Sequence, residues 1–530
     1  MPALSTIDLA MFMLESRERP FNIGPLILLR PPKGYRGNFA NRLYDKLLER
    51  PVGAPFNYKL KLSLTSLPAL VPVKNPDVAA HVHRLTLPRA STDELLAKIC
   101  KLHESPLDRS GMLWQFYVID GLADGRVALY GKVHHGIIDG RTFVKAMTQC
   151  ISTDPGDMKV RAMWEGVARS GARDEAQLGI AARLMSAGAQ AVGAVRSAAE
   201  ISGMLANQSL GSLGILDTMP LPFTKVSGAL DGKITAERSF AFCNLPLAEM
   251  KAIGKENSAT VNDMLLTALD IALHRYLGKH AQQHDEPLVA DMPLALKSGA
   301  KGSNEITVLQ LPLGRAASSV EDRLAAIHRE SLRVKDMLKK KRSDTLMLYT
   351  TLVHALPMVM EALGSKMAPQ LSNLLVSNPF GFEGQPYLMG ATVEQALPVS
   401  VVVAGQKLNV TAVTLGKRLQ VGFLAMPDAV PMISELARLT EKAFEEIRSA
   451  LNPVDGWTPP VTKPRTRQAR KVVPEPAAKP AAKRSAKAVA PESAPVKPAR
   501  QRRAPAKPAA AKAAVKKATP ARKPRGSSKS

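Results

Sequence analysis

After Trp457 the chain carries no aromatic side chain, and this boundary limits how much of its 530 residues can build a core. Beyond it the residues are mainly Lys, Arg, Ala and Pro, as in KPAAKRSAKA and AKPAAAKAAVKKATPARKPR. Such a segment cannot bury enough apolar surface to offset its ordering entropy. Residues 456–530 are therefore expected to form a disordered Lys/Ala/Pro-rich tail, with its KPA-like units low in complexity and not a structural repeat. The charge obeys the same boundary. Residues 461–530 hold 21 Lys/Arg and 2 Asp/Glu, so +19 of the formal +26 lies there and +7 in the rest of the chain. A flexible polycation without aromatics suits salt-sensitive contact with a polyanion, either anionic lipid or nucleic acid. It offers no platform for base stacking.

The remaining 455 residues exceed one ordinary core, so two domains are expected. The first, residues 1–155, mixes helix and strand signals. Leu26–Arg30 reads as a strand ending before Pro31-Pro32, and residues 92–104 read as an amphipathic helix with Thr92 as its N-cap. Gln115–Asp120 and Val127–Val133 read as paired strands joined through Asp124-Gly125. Residues 156–234 read as a helical crossover or linker, with a weakly amphipathic helix over 176–205. The second domain, residues 235–455, carries a buried helix from Val261 to Arg275, and strands 408–414 and 419–423 turning at Gly416-Lys417. An amphipathic helix over 431–450 closes it. The fold class is α/β with mixed sheets in two halves.

Cys100, Cys150 and Cys243 are distant and form no CxxC pair, which fits a reducing compartment and buried small hydrophobes. The N-terminal stretch has no basic n-region, and no run of about 18 apolar residues occurs. A cytoplasmic protein is expected, one that can touch a membrane surface without spanning it.

One segment carries chemistry. His134-His135-Gly136-Ile137-Ile138-Asp139-Gly140 comes directly after the strand Val127–Val133 and precedes a potential helix. It therefore occupies a strand-to-helix turn, where side chains project into a cleft. A histidine there can act as a general base near neutral pH, and Asp139 can orient a ring nitrogen or fix the loop. Plainer readings compete: a solvated histidine pair, and Asp139 as a turn residue or helix N-cap. Zinc has little support, because adjacent histidines rarely share one metal and no nearby ligand completes a set. No Gly-x-Ser-x-Gly elbow and no phosphate-cradling glycine loop is present.

The spacing His134-His135-x-x-x-Asp139-Gly140 resembles the HHxxxDG motif of CoA-dependent acyltransferases built on chloramphenicol-acetyltransferase-like domains. Its surroundings resemble the bacterial wax ester synthase/diacylglycerol acyltransferase family. Leu4-Ser5-Thr6-Ile7-Asp8 with Phe12 and Glu15 is similar to that family's opening, as are Asn75-Pro76-Asp77 and His81. Ser105–Ser110 with Leu113-Trp114 is similar to its PLDRS and PLW region, with Met112 in place of proline. Ala259–Asp263 resembles its ND motif. Ser377-Asn378, Gly381, Pro398–Ser400 and Leu408–Thr411 resemble its C-terminal segment. Two departures stand out: the usual SNVPGP reads Ser377-Asn378-Pro379-Phe380-Gly381-Phe382, and the usual Ser-Tyr pair reads Thr414-Leu415 before Gly416.

The resemblance implies two chloramphenicol-acetyltransferase-like domains and an O-acyltransferase that uses acyl-CoA as co-substrate, with no bound cofactor and no metal. The acceptor would be a fatty alcohol or diacylglycerol, the product a wax ester or triacylglycerol. It assigns His135 as general base, His134 as a supporting residue, Asp139 as structural or orienting, and Asn262 as orienting or oxyanion-stabilising. A plainer role for Asn262 is N-cap of a helix over 263–275. Peripheral attachment to a membrane or lipid-droplet surface is also implied. The alternative to an enzyme is a non-catalytic lipid- or acyl-CoA-binding protein tethered by its tail to nucleic acid or an anionic surface.

Overall fold

The apolar run Ile27-Leu28-Leu29 is buried on both faces, which makes it a central strand and not an edge. In the computed structural model this is β1 (Asn22–Arg30), lying between two antiparallel neighbours. The structure describes residues 6–62, 68–166, 196–210, 228–280, 284–296, 306–365, 369–379 and 384–451, with a few positions between them.

The first half contains α1 (Thr6–Leu14), β1, α2 (Phe39–Leu48), β2 (Tyr58–Lys61), β3 (Ala69–Pro72) and β4 (Val82–Ala90). It continues with α3 (Thr92–Glu104), β5 (Trp114–Leu122), β6 (Val127–His134), a 3-10 turn (His135–Ile137) and α4 (Gly140–Cys150). Residues 196–210 are helical, α5. The second half contains β7 (Ser239–Pro246), α6 (Leu247–Glu256), α7 (Val261–Lys279), β8 (Val289–Ala295), β9 (Ile306–Pro312), α8 (Val320–Lys340) and α9 (Ser343–Ala362). It ends with β10 (Leu374–Ser377), β11 (Tyr387–Leu388), β12 (Ala391–Val399), β13 (Leu408–Leu415), β14 (Arg418–Ala425) and α10 (Ile433–Leu451).

Two six-stranded mixed sheets result, ordered β11-β12-β1-β6-β5-β4 and β7-β14-β13-β10-β8-β9. The mixed α/β class is as expected. The boundary between residues 1–155 and 235–455, however, does not separate the sheets. β11 and β12 come from the second stretch yet complete the first sheet, with Leu26 paired to Leu397. Strand pairing over such a separation leaves no periodic trace in sequence. The sheets meet where β14 approaches β12: a Cβ on Gly422 would lie 2.5 Å from the Pro398 carbonyl oxygen, so only glycine fits.

One helix cap and one plainer reading differ from expectation. α3 is capped by Ser91, not Thr92, because Ser91 and Glu94 form a reciprocal capping box. α7 begins at Val261, as expected, capped by Thr260 with Asp263 in the reciprocal position, and not at 263 as an Asn262 cap would require. Asn262 therefore sits inside the first turn, and the reading of it as an N-cap is corrected. Cys100, Cys150 and Cys243 are buried and free. Among the described residues no helix is long and apolar enough to cross a membrane. The helix expected over 176–205 lies outside the described residues up to 195, and the tail 456–530 lies outside them entirely.

Candidate active site

β6 is buried along its whole length and delivers the histidine pair at its C-terminal end. The two histidines have different surroundings. His134 is fully buried. Its ring stacks on Phe12 of α1 at 4.3 Å with 4° between the planes. Its Nδ1 accepts the Gly136 backbone N–H at 3.0 Å. An acceptor Nδ1 in a neutral ring puts the proton on Nε2, and Nε2 faces Glu15 Oε1 at 3.6 Å. The motif glycine is sterically required: a Cβ on Gly136 would lie 2.7 Å from the Phe12 ring and 3.0 Å from His134 Nδ1.

His135 is half-buried, at the start of the 3-10 turn. Its backbone N–H donates to the Phe21 carbonyl at 2.7 Å. Burial pushes its pKa below the ordinary imidazole value, opposed by its own backbone carbonyl and by the carboxylates of Asp8 and Asp139. The ring is therefore neutral at pH 7 and able to accept a proton.

Asp139 caps α4. Its Oδ1 accepts the Thr142 N–H at 2.9 Å, its Oδ2 accepts the Thr142 hydroxyl at 2.6 Å, and its carbonyl accepts the Phe143 N–H at 2.8 Å. This geometry holds the turn that carries His135.

Glu15 holds the surrounding frame together, a role not visible in the sequence. Its side chain is 3% exposed. Oε1 accepts the Phe21 N–H at 3.0 Å, and Oε2 accepts from Arg109 at 2.8 and 3.2 Å. Burial pushes the Glu15 carboxyl upward. His134, Arg109 and the Phe21 N–H together outweigh it, so the group stays ionised below the usual range. Glu15 thus supports Phe21, and Phe21 supports His135. Lys132, two residues before His134, is buried and donates to the Leu102 and Ser105 carbonyls at 2.9 Å each. Burial pushes its pKa down to about 8 against the pull of Glu15.

Asn262 is joined to a second motif residue. Its Oδ1 accepts from Asn378 Nδ2 at 2.6 Å, so the first turn of α7 and the end of β10 meet. Asp263 is tied to Ser331 at 2.6 Å and His328 at 3.0 Å on α8. The two stretches that depart from the family pattern also meet. The Phe382 N–H donates to the Thr414 carbonyl at 2.8 Å, and the Gly416 N–H donates to the Phe382 carbonyl at 2.9 Å. A Cβ on Gly381 would lie 1.9 Å from the Thr414 carbonyl oxygen, so glycine is needed for this contact. Leu415 and Phe382 belong to the same apolar cluster as Phe12, Ile137 and Ile138. Two surface clefts, between α8 and α10 and beside Tyr35 and Arg126, include no residue of the histidine motif.

Two mixed sheets with a histidine pair at a strand end define the chloramphenicol-acetyltransferase-like acyl-transfer fold. The first condensation domain of the calcium-dependent antibiotic synthetase shares it, with a TM-score of 0.52 at 16% identity over 86% of this chain and 97% of that one. The chain belongs to the wax ester synthase/diacylglycerol acyltransferase family: the catalytic-domain model matches residues 4–265 and the C-terminal-domain model residues 302–448. It is similar to the Mycobacterium tuberculosis protein named "Probable diacyglycerol O-acyltransferase Tgs4", with 31% identity over 478 residues, 88% of this chain and 100% of that protein. Among solved structures it is similar to the wax ester synthase/diacylglycerol acyltransferase of Marinobacter aquaeolei VT8. There the TM-score is 0.65 at 25% identity, covering 85% of this chain and 100% of the other. The protein is thus an acyltransferase.

Proposed function

We propose that this protein transfers a fatty acyl group from acyl-CoA to the hydroxyl of a fatty alcohol or diacylglycerol, with His135 as general base. The observation that carries the assignment is the asymmetry of the pair. His134 is locked by Phe12, Gly136 and Glu15, whereas His135 is half-buried with its pKa held down. The alcohol oxygen attacks the thioester carbonyl carbon as its proton passes to the His135 ring. The tetrahedral intermediate then expels the CoA thiolate, which takes the proton back, so no acyl-enzyme forms. Asn262 steadies the oxyanion or the acceptor, a role supported by the bond from Asn378 that fixes its side chain. Asp139 and Glu15 are positioning residues. Phe382 and Leu415 contribute to the wall of the acyl or acceptor pocket, a role supported by the cluster they share with Ile137 and Ile138. The reaction takes place on a lipid surface facing the cytoplasm, with the tail as a tether to polyanions.

The test is thiol release from acyl-CoA in the presence of hexadecanol or diacylglycerol, on wild type and His135→Ala. Acceptor-dependent release by the wild type alone supports the reading. Acyl-CoA binding without release would make the protein a binding module.

A further inference from the structure

α9 is apolar on nearly every side, yet only one face packs inward. Thr345, Leu346, Tyr349, Thr350 and Pro357 are buried. Leu352, Leu356, Val359 and Leu363 are 56, 49, 44 and 83% exposed. Their spacing of four, three and four residues places them on one stripe, roughly 16 Å long. Elements that touch α9 also expose apolar side chains. α1 packs on α9 and exposes Met13, while α5 is bonded to α9 through Glu200–Thr345 at 2.7 Å and leads to the exposed Leu213. Single exposed leucines are ordinary on a protein surface, but an apolar stripe on a helix that starts at a basic corner marks an interaction site.

The charge at the N-terminal start of the same helix, ten residues or roughly 15 Å before Leu352, identifies the partner. The corner between α8 and α9 reads Lys339-Lys340-Lys341-Arg342, and residues 335–344 hold five Lys/Arg and two Asp. Lys340 and Arg342 pair with Asp336 and Asp344 at the surface, where such pairs are weak and leave the local charge at +3. An apolar stripe with a cationic cluster at the start of the same helix, on a helix unable to span a bilayer, matches an interfacial helix.

We propose that α9 docks this protein on an anionic phospholipid surface. Leu352, Leu356, Val359 and Leu363 enter the headgroup–acyl boundary, and the Lys339–Arg342 corner meets the phosphates. The purpose of the contact rests on the lipid-substrate reading above; the contact itself does not. On its inner side α9 packs on α1, the helix whose Phe12 stacks on His134. Met358 packs on the apolar cluster that contains Ile137 and Ile138. Glu361 forms a buried pair with Arg19 at 2.5 Å, three residues before the strand β1 that pairs with His134. A hydrophobic acceptor leaving the bilayer would therefore meet α9 before the histidine loop.

Full-length Leu356→Cys can be labelled with an environment-sensitive thiol dye, because Cys100, Cys150 and Cys243 are at most 5% exposed. Phosphatidylcholine vesicles containing phosphatidylglycerol should shift its emission to the blue. A dye at Ala97→Cys on α3 should not respond. In flotation at high salt, Leu352→Gln with Leu356→Gln should lower vesicle binding by on the order of 10–100-fold. Thiol release on detergent-solubilised substrate should stay unchanged. Flotation with a silent dye at position 356 would overturn the proposal and assign attachment to the tail. A dye response that tracks protein concentration without vesicles would instead mean a second copy covers the stripe, which overturns it as well. Loss of soluble turnover in the double variant would overturn it by placing these leucines in the catalytic fold. None of the binding readouts requires turnover, so they stand or fall separately from the acyl-transfer assignment.

Discussion

His134 Nε2 lies 3.6 Å from Glu15 Oε1, and a backbone bond two residues away decides that the nitrogen carries the proton. On the proposed mechanism the first histidine of the pair serves structure and the second serves chemistry. His134→Ala should remove a stacked, fully buried ring and cost about 2–4 kcal/mol of stability, with activity falling alongside. His135→Ala should change stability by less than about 1 kcal/mol while lowering turnover roughly 10²–10⁴-fold. Denaturant titration and ester assay on both variants check this, and the reverse pattern would exchange the roles.

With His135 as the proposed base, its depressed pKa predicts the pH profile. A general base works above its own pKa and fails as pH falls through it. The acid limb of kcat/KM should therefore be centred below 6.5, the ordinary histidine value. An acid limb centred above 6.5 would contradict the burial of the ring.

Asp139 acts through the helix it caps. Asp139→Ala should lower stability by about 1 kcal/mol, and Asp139→Asn, which still accepts the Thr142 N–H, should recover most of it. The same order should appear in activity. A variant at full stability but without turnover would instead make Asp139 part of a proton path.

Phe382 and Leu415 give a substrate prediction. Phe382→Ala should shift the ratio of kcat/KM between long and short acyl or acceptor chains by roughly 10-fold or more toward the longer, since one or two methylenes in an apolar pocket discriminate on that scale. A competition assay with mixed chain lengths reads the ratio directly. No shift would place Phe382 outside the pocket.

His103 gives a stability prediction away from the reaction. Its Nε2 donates to the Ser400 carbonyl at 2.8 Å and its Nδ1 accepts the Tyr130 hydroxyl at 2.7 Å, so the ring is held neutral. Burial, reinforced by Arg238 and Lys132, pushes its pKa down to about 3. Below pH 6.5 the unfolded chain binds a proton that the folded one refuses, so stability drains as pH falls from 6.5 toward 3. At the middle of that window the loss is about 2–3 kcal/mol, and His103→Gln should flatten it. Unfolding free energies across the window test the slope.

Local signals carried most of the elements. The apolar run at Leu26–Leu29, the hairpin turning at Gly416-Lys417 and the buried helix from Val261 all lie where the pattern put them. The helix starts at Ser91 and Thr260 were legible too, because Ser91-x-x-Glu94 and Thr260-x-x-Asp263 have capping-box spacing, but Thr92 and Asn262, one and two residues further on, are also capping residue types. The histidine loop and Asp139 were visible as a motif. The Glu15–Arg109 pair and the Asn262–Asn378 pair were not, because they join positions 94 and 116 residues apart that only the folded sheets bring together. The same holds for β12, whose pairing with β1 crosses most of the chain.

That pairing sets a timetable for synthesis. The side of β1 that receives β12 is made early, and its partner emerges only after some 360 further residues, roughly 20–70 s at ribosomal speed. Through that interval the nascent chain carries an open apolar strand edge, Leu26 to Leu29, able to pair with the wrong neighbour. Holding that edge quiet until residues 391–399 arrive is a task for chaperones or for slow collapse of the first half. A gene cut between its halves would produce a fragment that never closes it.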